Sequence, residues 1–224
     1  YSGSASNVIE YVVPTSSGNA QDFGDLTVSR SFLAGASSST RGLFMGGGSG
    51  NVIDFITIAS TGNAQDFGDT TRNSDGHASA ASPTRGIMAG GSGNSNVIEF
   101  TTIASAGNAS DFGDLSNGGE DLSGCSNSTK ALMGMINGKI ETINIASTGN
   151  ATNFGETQYQ NVLTSPIACS SDTRAIFAGG QRSVYYNNIE FFTIASNGNG
   201  TDFGDLTVAR NRGAGIGTAH GGIA

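Results

Sequence analysis

Two kinds of acidic residue recur along this 224-residue sequence. One is the carboxylate pair of an Asp-Phe-Gly-Asp motif, as at Asp66 and Asp69, and the other is a single acid inside an apolar run, as at Asp54. Calcium takes roughly 6 to 8 oxygen ligands, so two carboxylates three residues apart supply too few for a cation site. Recurrence in every repeat favours a role in the fold, in which the first Asp closes a turn and Phe67 packs between neighbouring units.

Basic residues recur ahead of these acids, where the second strand of each unit would begin. They are Arg41, Arg85, Lys130 and Arg174, and the acids of the following run are Glu10, Asp54, Glu99, Glu141 and Glu190. A hairpin places such strands side by side, so the sequence predicts an acid–base pair in most units, for example Arg41 with Asp54. In the remaining unit Gly221 stands at the basic position. A ring of charges that binds a ligand is the alternative interpretation.

Residues that could carry out catalysis form no recognisable set. His77 and His220 lie in different repeats and share no metal-ligand spacing. Serine is abundant, but no Gly-x-Ser-x-Gly elbow and no nucleophile–base–acid arrangement can be assembled. Asp-Phe-Gly also occurs in protein kinases, yet no other kinase motif accompanies it here. We therefore expect a protein that is not an enzyme and that binds no cofactor or metal.

A fivefold internal repeat determines the elements that must position these residues. The phenylalanines of the motif are spaced 44, 45, 42 and 49 residues apart, and the acids of the apolar runs have identical spacings. The five motif copies occupy residues 22–25, 66–69, 111–114, 153–156 and 202–205. A repeat of this length indicates supersecondary units that bury their apolar faces only against one another.

Each period predicts four short strands and no helix. In one period these strands cover residues 32–36, 42–45, 52–58 and the surroundings of Phe67. From Ile189 through the last residue and on to Ile9 is again 44 positions, so the chain holds five whole periods. We therefore predict an all-β fold in which residues 1–224 form one five-bladed β-propeller. Its blades would be four-stranded and antiparallel, and N- and C-terminal strands would combine in one blade.

Composition excludes several classes of partner. The net charge is −8 and only Lys130 and Lys139 are lysines, which argues against nucleic-acid binding. No apolar stretch approaches the roughly 18 residues of a membrane helix, so we expect no membrane insertion. The sequence begins at Tyr1 with neither Met nor a signal peptide, which is expected of a processed product or of one domain of a longer protein.

The two cysteines occupy matching places in neighbouring repeats. Cys125 and Cys169 each precede a threonine by four residues, and Ala36 and Ala80 stand at the same place in other copies. This pattern favours a small buried side chain. A disulfide would have to cross between repeats, and the sequence leaves the redox state of the pair open.

The repeat resembles a known family. Gly46-Gly47, then Phe55, then Phe67-Gly68 is similar to the kelch repeat, with its double glycine after the second strand and an aromatic residue in the fourth. The resemblance covers nearly all of the chain, but Phe stands where kelch repeats usually have Trp, and this chain has no Trp. The amino-acid sequence of residues 58–69 is also similar to repeats in structural or tail-associated proteins of marine bacteriophages.

Departures from the repeat are the best candidates for function, because loops on a repeated scaffold usually carry it. The longest period inserts residues 181–186, which include Arg182, Tyr185 and Tyr186, and the fourth copy carries Tyr159. Arg and Tyr are enriched among residues that dominate contact energies. These four are the predicted partner-binding residues, and a plain long loop is the alternative interpretation.

These features lead us to expect a non-enzymatic structural or recognition module. The phage resemblance implies a place on a virion or another extracellular surface, with other structural proteins or a host-surface receptor or glycan as partner. A carbohydrate-binding propeller is the alternative, although only five Tyr and no Trp are present as aromatic platforms. A kelch-type oxidase would require a metal with Tyr or His ligands clustered on the axis.

Overall fold

The structure is a computed structural model that describes residues 4–48, 50–134, 136–158 and 164–217. It contains eighteen β-strands in five antiparallel sheets, and the sheets follow one another in sequence order. Within these ranges the only helical element is the short 3-10 turn Ile136–Gly138. The predicted all-β class and the four-stranded antiparallel unit are thereby confirmed.

The first sheet has two strands and each of the other four sheets has four. The first sheet contains β1 (Ser6–Tyr11) and β2 (Gln21–Arg30). The second contains β3 (Ala34–Ser37), β4 (Arg41–Met45), β5 (Val52–Thr57) and β6 (Gln65–Asp69). The third contains β7 (Ala78–Ala81), β8 (Arg85–Ala89), β9 (Val97–Thr102) and β10 (Ser110–Asp114). The fourth contains β11 (Ser123–Ser126), β12 (Lys130–Gly134), β13 (Lys139–Asn144) and β14 (Thr152–Glu156). The fifth contains β15 (Ile167–Ser170), β16 (Arg174–Ala178), β17 (Asn188–Thr193) and β18 (Thr201–Asp205).

Strands β3, β7, β11 and β15 are the inner strands of their sheets, and successive inner strands lie side by side. Their side chains are small because the strands crowd together. The hydroxyl of Ser126 donates to the carbonyl of Ala81 at 2.7 Å, and that of Ser170 donates to the carbonyl of Ser126 at 2.7 Å. Ala, Ser and Gly at these positions therefore permit the close approach of the inner strands.

The apolar core lies between successive sheets. Leu43 and Met45 of the second sheet, for example, belong to one buried cluster with Ala81 and Met88 of the third. Three further clusters occupy the other junctions between neighbouring sheets. Successive sheets thus bury the faces that they turn towards each other, as expected of units that are not stable alone.

The Asp-Phe-Gly-Asp motif joins each sheet to the next. At β6 the strand bulges opposite the pair Ile53 and Asp54, and the backbone of the motif receives the turn of the following sheet. The amide of Gly107 donates to the carbonyl of Phe67 at 2.7 Å, and the amide of Ala109 donates to the carbonyl of Asp69 at 2.8 Å. The amide of Asp69 donates to Oδ1 of Asn108 at 3.0 Å. We call this set of three bonds the clasp.

The clasp recurs at four junctions. The motif residues Phe23, Phe67, Phe112 and Phe154 accept from Gly62, Gly107, Gly149 and Gly198 respectively. The matching asparagines are Asn63, Asn108, Asn150 and Asn199. The phenylalanines are buried between the sheets, so the motif has the structural role that its recurrence predicted.

Candidate functional site

A cavity of about 410 Å³ is lined by one segment from each of the five repeats. A second cavity, of about 360 Å³, lies towards the other end of the inner strands. The residues that line both cavities are Gly35, Ser79, Gly124, Ala168 and Gly215. These five occupy equivalent positions, so the inner segments face a common axis, and the larger cavity is called the axial cavity below.

Five equivalent residues surround the mouth of the axial cavity. They are Phe32, Gly76, Asp121, Ser165 and Arg212. All five have left-handed backbone conformations, with φ between 54° and 65°. Four of them are not glycine, which is uncommon because a Cβ atom disfavours this region. Strained backbone of this kind persists where the surrounding structure fixes it, often at functional sites.

Backbone hydrogen bonds connect the mouth residues to one another. The amide of Gly76 donates to the carbonyl of Phe32 at 3.3 Å, and that of Ser165 donates to the carbonyl of Asp121 at 2.6 Å. The amide of Arg212 donates to the carbonyl of Ser165 at 3.0 Å. The left-handed conformation therefore aligns each connecting segment with the preceding one around the axis.

Arg212 links three repeats across the mouth. Its Nη2 atom lies 2.8 Å from Oδ2 of Asp121, and its guanidinium lies 5.2 Å from the centre of the Phe32 ring. Both side chains of the ion pair are partly exposed to solvent, so its contribution to stability is small. The mouth thus presents a cation, a carboxylate and an aromatic ring to solvent within one small area.

His77 lies behind the mouth in the lining of the axial cavity. It is buried, and among the described residues neither ring nitrogen has a hydrogen-bond partner. Burial, together with the positive charge of Arg72, lowers the pKa of His77 to about 4. The imidazole is therefore neutral at neutral pH.

The inserted segment, residues 181–186, lies beside the mouth. Gln181 exchanges backbone hydrogen bonds with Thr164, the neighbour of Ser165, and its side chain accepts a 2.8 Å bond from Asn211, the neighbour of Arg212. The insertion is therefore packed against two of the five connections that form the mouth.

Three of the four predicted partner-binding residues occupy this insertion. Tyr185 is 55% exposed and Val184 is 58% exposed. Arg182 is also exposed, whereas Tyr186 is half-buried and its amide donates to the carbonyl of Gly180. Tyr159 lies outside the described residues. Arg182, Tyr185 and Tyr186 thus lie in an insertion whose first residue, Gln181, bonds to the neighbours of two mouth residues.

Four of the five recurring acids are buried and bonded to the preceding sheet. Asp54 accepts 2.6 Å bonds from the hydroxyl of Thr27 and from the guanidinium of Arg30. At the next three junctions, backbone amides at Thr71, Ser116 and Gln158 donate to Glu99, Glu141 and Glu190 respectively. Burial raises the pKa of Glu99, although Arg72 and the Thr71 amide oppose this shift. These acids connect sheets and are not available to a ligand in solution.

Three of the four recurring bases stack on aromatic rings, and the predicted pair of Arg41 with Asp54 is wrong. Arg41 lies opposite Thr57 in the hairpin, with its guanidinium 4.8 Å from the centre of the Phe55 ring. Consecutive strand residues point to opposite faces, so Phe55 and Asp54 cannot both meet Arg41. The Nη1 atom of Arg41 donates instead to the carbonyl of Ile103 in the next sheet at 2.9 Å.

The same stacking recurs in other repeats. Arg85 lies over Phe100 at 4.5 Å, and Arg174 lies over Phe191 at 4.4 Å. The aromatic residues of the third strands are thus covered by arginines. An aromatic platform for a sugar on each sheet is therefore not provided by these rings.

The cysteines and possible metal ligands form no further site. Cys125 and Cys169 are both free, and burial raises the pKa of the Cys125 thiol to about 12. Among the described residues, no three or more His, Cys, Asp or Glu side chains are grouped so as to hold a metal ion. In the same ranges, no helix is long and apolar enough to cross a membrane.

Comparison with protein-family models gives no match for this chain, and no curated protein matches it significantly. The likeness to the kelch repeat therefore rests on the residues of the repeat itself.

The mouth residues Phe32, Asp121 and Arg212 were not predicted from the sequence. They stand at aligned positions before each inner strand, where the second repeat has Gly76. A large or charged residue that replaces an aligned glycine was the signal that could have identified them. Their proximity becomes evident only when all five segments face one axis.

Proposed function

We propose that the chain is a five-bladed, kelch-like β-propeller that serves as a non-enzymatic structural or recognition module on a virion or another extracellular surface. Five inner segments lining one axial cavity support this ring arrangement. The partner would be another structural protein or a host-surface receptor. Binding would use the end of the molecule at which the mouth and residues 181–186 lie.

The observation that carries this proposal is the coincidence of the insertion with the mouth. Tyr185 and Val184 are exposed in the insertion, and Gln181 at its start bonds to Thr164 and Asn211, the neighbours of the mouth residues Ser165 and Arg212. Exposed aromatic and cationic side chains are enriched in surfaces that bind proteins. In the regular repeats, by contrast, the aromatic and charged residues contact other parts of the fold.

A photo-crosslinking experiment tests this assignment. A photo-reactive amino acid replaces Val184 in one variant and Ile58, an exposed residue at the other end of the strands, in a matched control. We expect the first variant to cross-link to a surface component of the source particle or of its host, and the control to give no such product. Equal products from both positions, or native protein free in cytosol, would contradict the proposal.

A single substitution within the insertion measures how much this surface contributes to binding affinity. Residues that dominate an interface cost 2 kcal/mol or more on truncation, which is about a 30-fold loss of affinity. We expect Tyr185→Ser to weaken binding by about this factor, while Ile58→Ser leaves it unchanged. Circular dichroism of both variants checks that the fold is retained.

A carbohydrate ligand is the second candidate. The axial cavity lies within the roughly 300 to 1,000 Å³ that small-molecule sites occupy, and Phe32 supplies an aromatic face at its mouth. A glycan array measured at millimolar concentrations decides between the two. Binding that Phe32→Ser abolishes would favour the carbohydrate, and absence of binding to any glycan would exclude it.

A further inference from the structure

The fifth copy of the Asp-Phe-Gly-Asp motif differs from the other four in its surroundings. Phe203 is 54% exposed, whereas Phe67 is 3% exposed. Gly204 keeps the motif's unusual backbone, with φ +136°, but a Cβ atom there would meet nothing within 4 Å. A Cβ atom at Gly113 would lie 2.5 Å from the carbonyl of Gly149 in the next sheet. The fifth motif therefore has the geometry that receives a clasp, but no clasp is formed there among the described residues.

The missing half of this clasp is present in the first sheet. Gly18, Asn19 and Ala20 align with the clasp turn of the second sheet, residues 62–64. All three are exposed, although Ala64 is buried. Among the described residues, neither Gly18 nor Ala20 donates a backbone hydrogen bond to another sheet.

Charged residues show the same complementarity. Arg30 follows the first motif by five residues and forms a buried 2.6 Å ion pair with Asp54 of the next sheet. Arg210 follows the fifth motif by the same interval, and Glu10 of the first sheet aligns with Asp54. Both Arg210 and Glu10 are exposed. Each is thus one half of a pair whose equivalent is formed elsewhere in the chain.

The two halves belong to neighbouring parts of the molecule. Residues 213–217 line the axial cavities together with Gly35 of β3. Arg212 stacks on Phe32, which follows β2 directly. The end of the fifth repeat therefore lies beside the segment that directly follows the first sheet, which favours pairing within one chain. Intramolecular pairing is also favoured by the high effective concentration of linked segments.

We propose that the first and fifth sheets of one chain join through a fifth clasp. In it, the amides of Gly18 and Ala20 donate to the carbonyls of Phe203 and Asp205, and the amide of Asp205 donates to Oδ1 of Asn19. Arg210 pairs with Glu10 as Arg30 does with Asp54. This interface extends the ring arrangement proposed above and is independent of what the mouth binds.

Amide hydrogen exchange tests the clasp in the intact chain. We expect the amides of Gly18 and Ala20 to exchange as slowly as those of Gly62 and Ala64, at every protein concentration and with the mass of a monomer. Fast exchange at both positions would overturn the proposal. Protection that appears only as the mass doubles would also overturn it, because a second copy would then be the partner.

A charge-reversal cycle provides an independent measurement. Glu10→Arg or Arg210→Glu alone should raise the exchange rate of Ala20 about tenfold, and the double variant should restore it, since contacting pairs couple by roughly 0.5 to 3 kcal/mol. Additive effects of the two changes would contradict the pair. Exchange at Ala64 serves as the control for global stability, and cross-linking through residue 184 reports the recognition role separately.

Discussion

At the scale of single residues, His77 differs from the residues at the equivalent position of the neighbouring repeats. Leu33 and Leu122 occupy the equivalent positions and need no hydrogen bond. His77 is buried there with both nitrogens unpartnered among the described residues. Because Arg72 adds positive charge nearby, protonation of the ring is doubly unfavourable in the folded state.

His77 should therefore make stability depend on pH. Its pKa is about 4 when folded against a usual value of 6.5, so between these values the unfolded chain binds more protons. The free energy of unfolding has its full value above about pH 6.5. It decreases by up to ~3 kcal/mol as the pH falls towards 4.

Urea unfolding of the native chain and of His77→Leu, measured between pH 7 and pH 4, checks this expectation. Leucine is the residue of the neighbouring repeats, so it should fit the site. The variant should lose less stability on acidification than the native chain. Identical pH profiles would show that His77 does not titrate in this range.

At the scale of elements, the outer strand depends on one glycine. Gly68 has φ +144°, and a Cβ atom there would lie 2.6 Å from the carbonyl of Gly107 in the next sheet. The backbone conformation and the close contact both require the absence of a side chain. The same residue thus permits the bulge in β6 and the clasp to the third sheet.

Replacement of this glycine should disrupt the junction. We expect Gly68→Ala to lower the free energy of unfolding by about 3 kcal/mol or more, through backbone strain and the clash. Gly35→Ala is the matched control, because a Cβ atom there meets nothing within 4 Å. Its effect should stay within about 0.5 kcal/mol. Denaturant unfolding of both variants makes the comparison, and equal losses would disprove this role of Gly68.

At the scale of the whole molecule, the proposed ring makes the position of the chain ends unimportant. The junction from the last residue to the first preserves the 44-residue period of the repeat. Four junctions between sheets use the same clasp, and with the proposed fifth clasp no single sheet would be required to begin or end the fold.

A circular permutant should consequently fold. Ala224 is joined to Tyr1, and new ends are placed between Ser92 and Gly93 in the loop after β8. We expect a monomer with the circular dichroism spectrum of the native order. A native-order chain cleaved in the same loop is the control for the cut. A permutant that aggregates or unfolds while this control stays folded would argue for an open stack.

Several features of the fold were predictable because they depend on residues close together in sequence. The strands 42–45 and 52–58 were predicted, and the structure has Arg41–Met45 and Val52–Thr57. Alternation of apolar residues and turn-forming glycines act within a few residues, and the repeat presents each signal five times. The insertion 181–186 was found in the same way, as a local departure from the period.

The sequence by itself therefore determined the strands, the repeat and the small residues of the inner strands. Only the tertiary structure decided which side chains meet. Asp54 binds Arg30 and not Arg41, because strand parity turns Arg41 to the other face and the preceding sheet brings Arg30 to Asp54. Arg212 meets Phe32 across an interval of 180 residues. Such contacts depend on how whole sheets pack around the axial cavity. No local pattern in the sequence indicates which residues from distant repeats will meet.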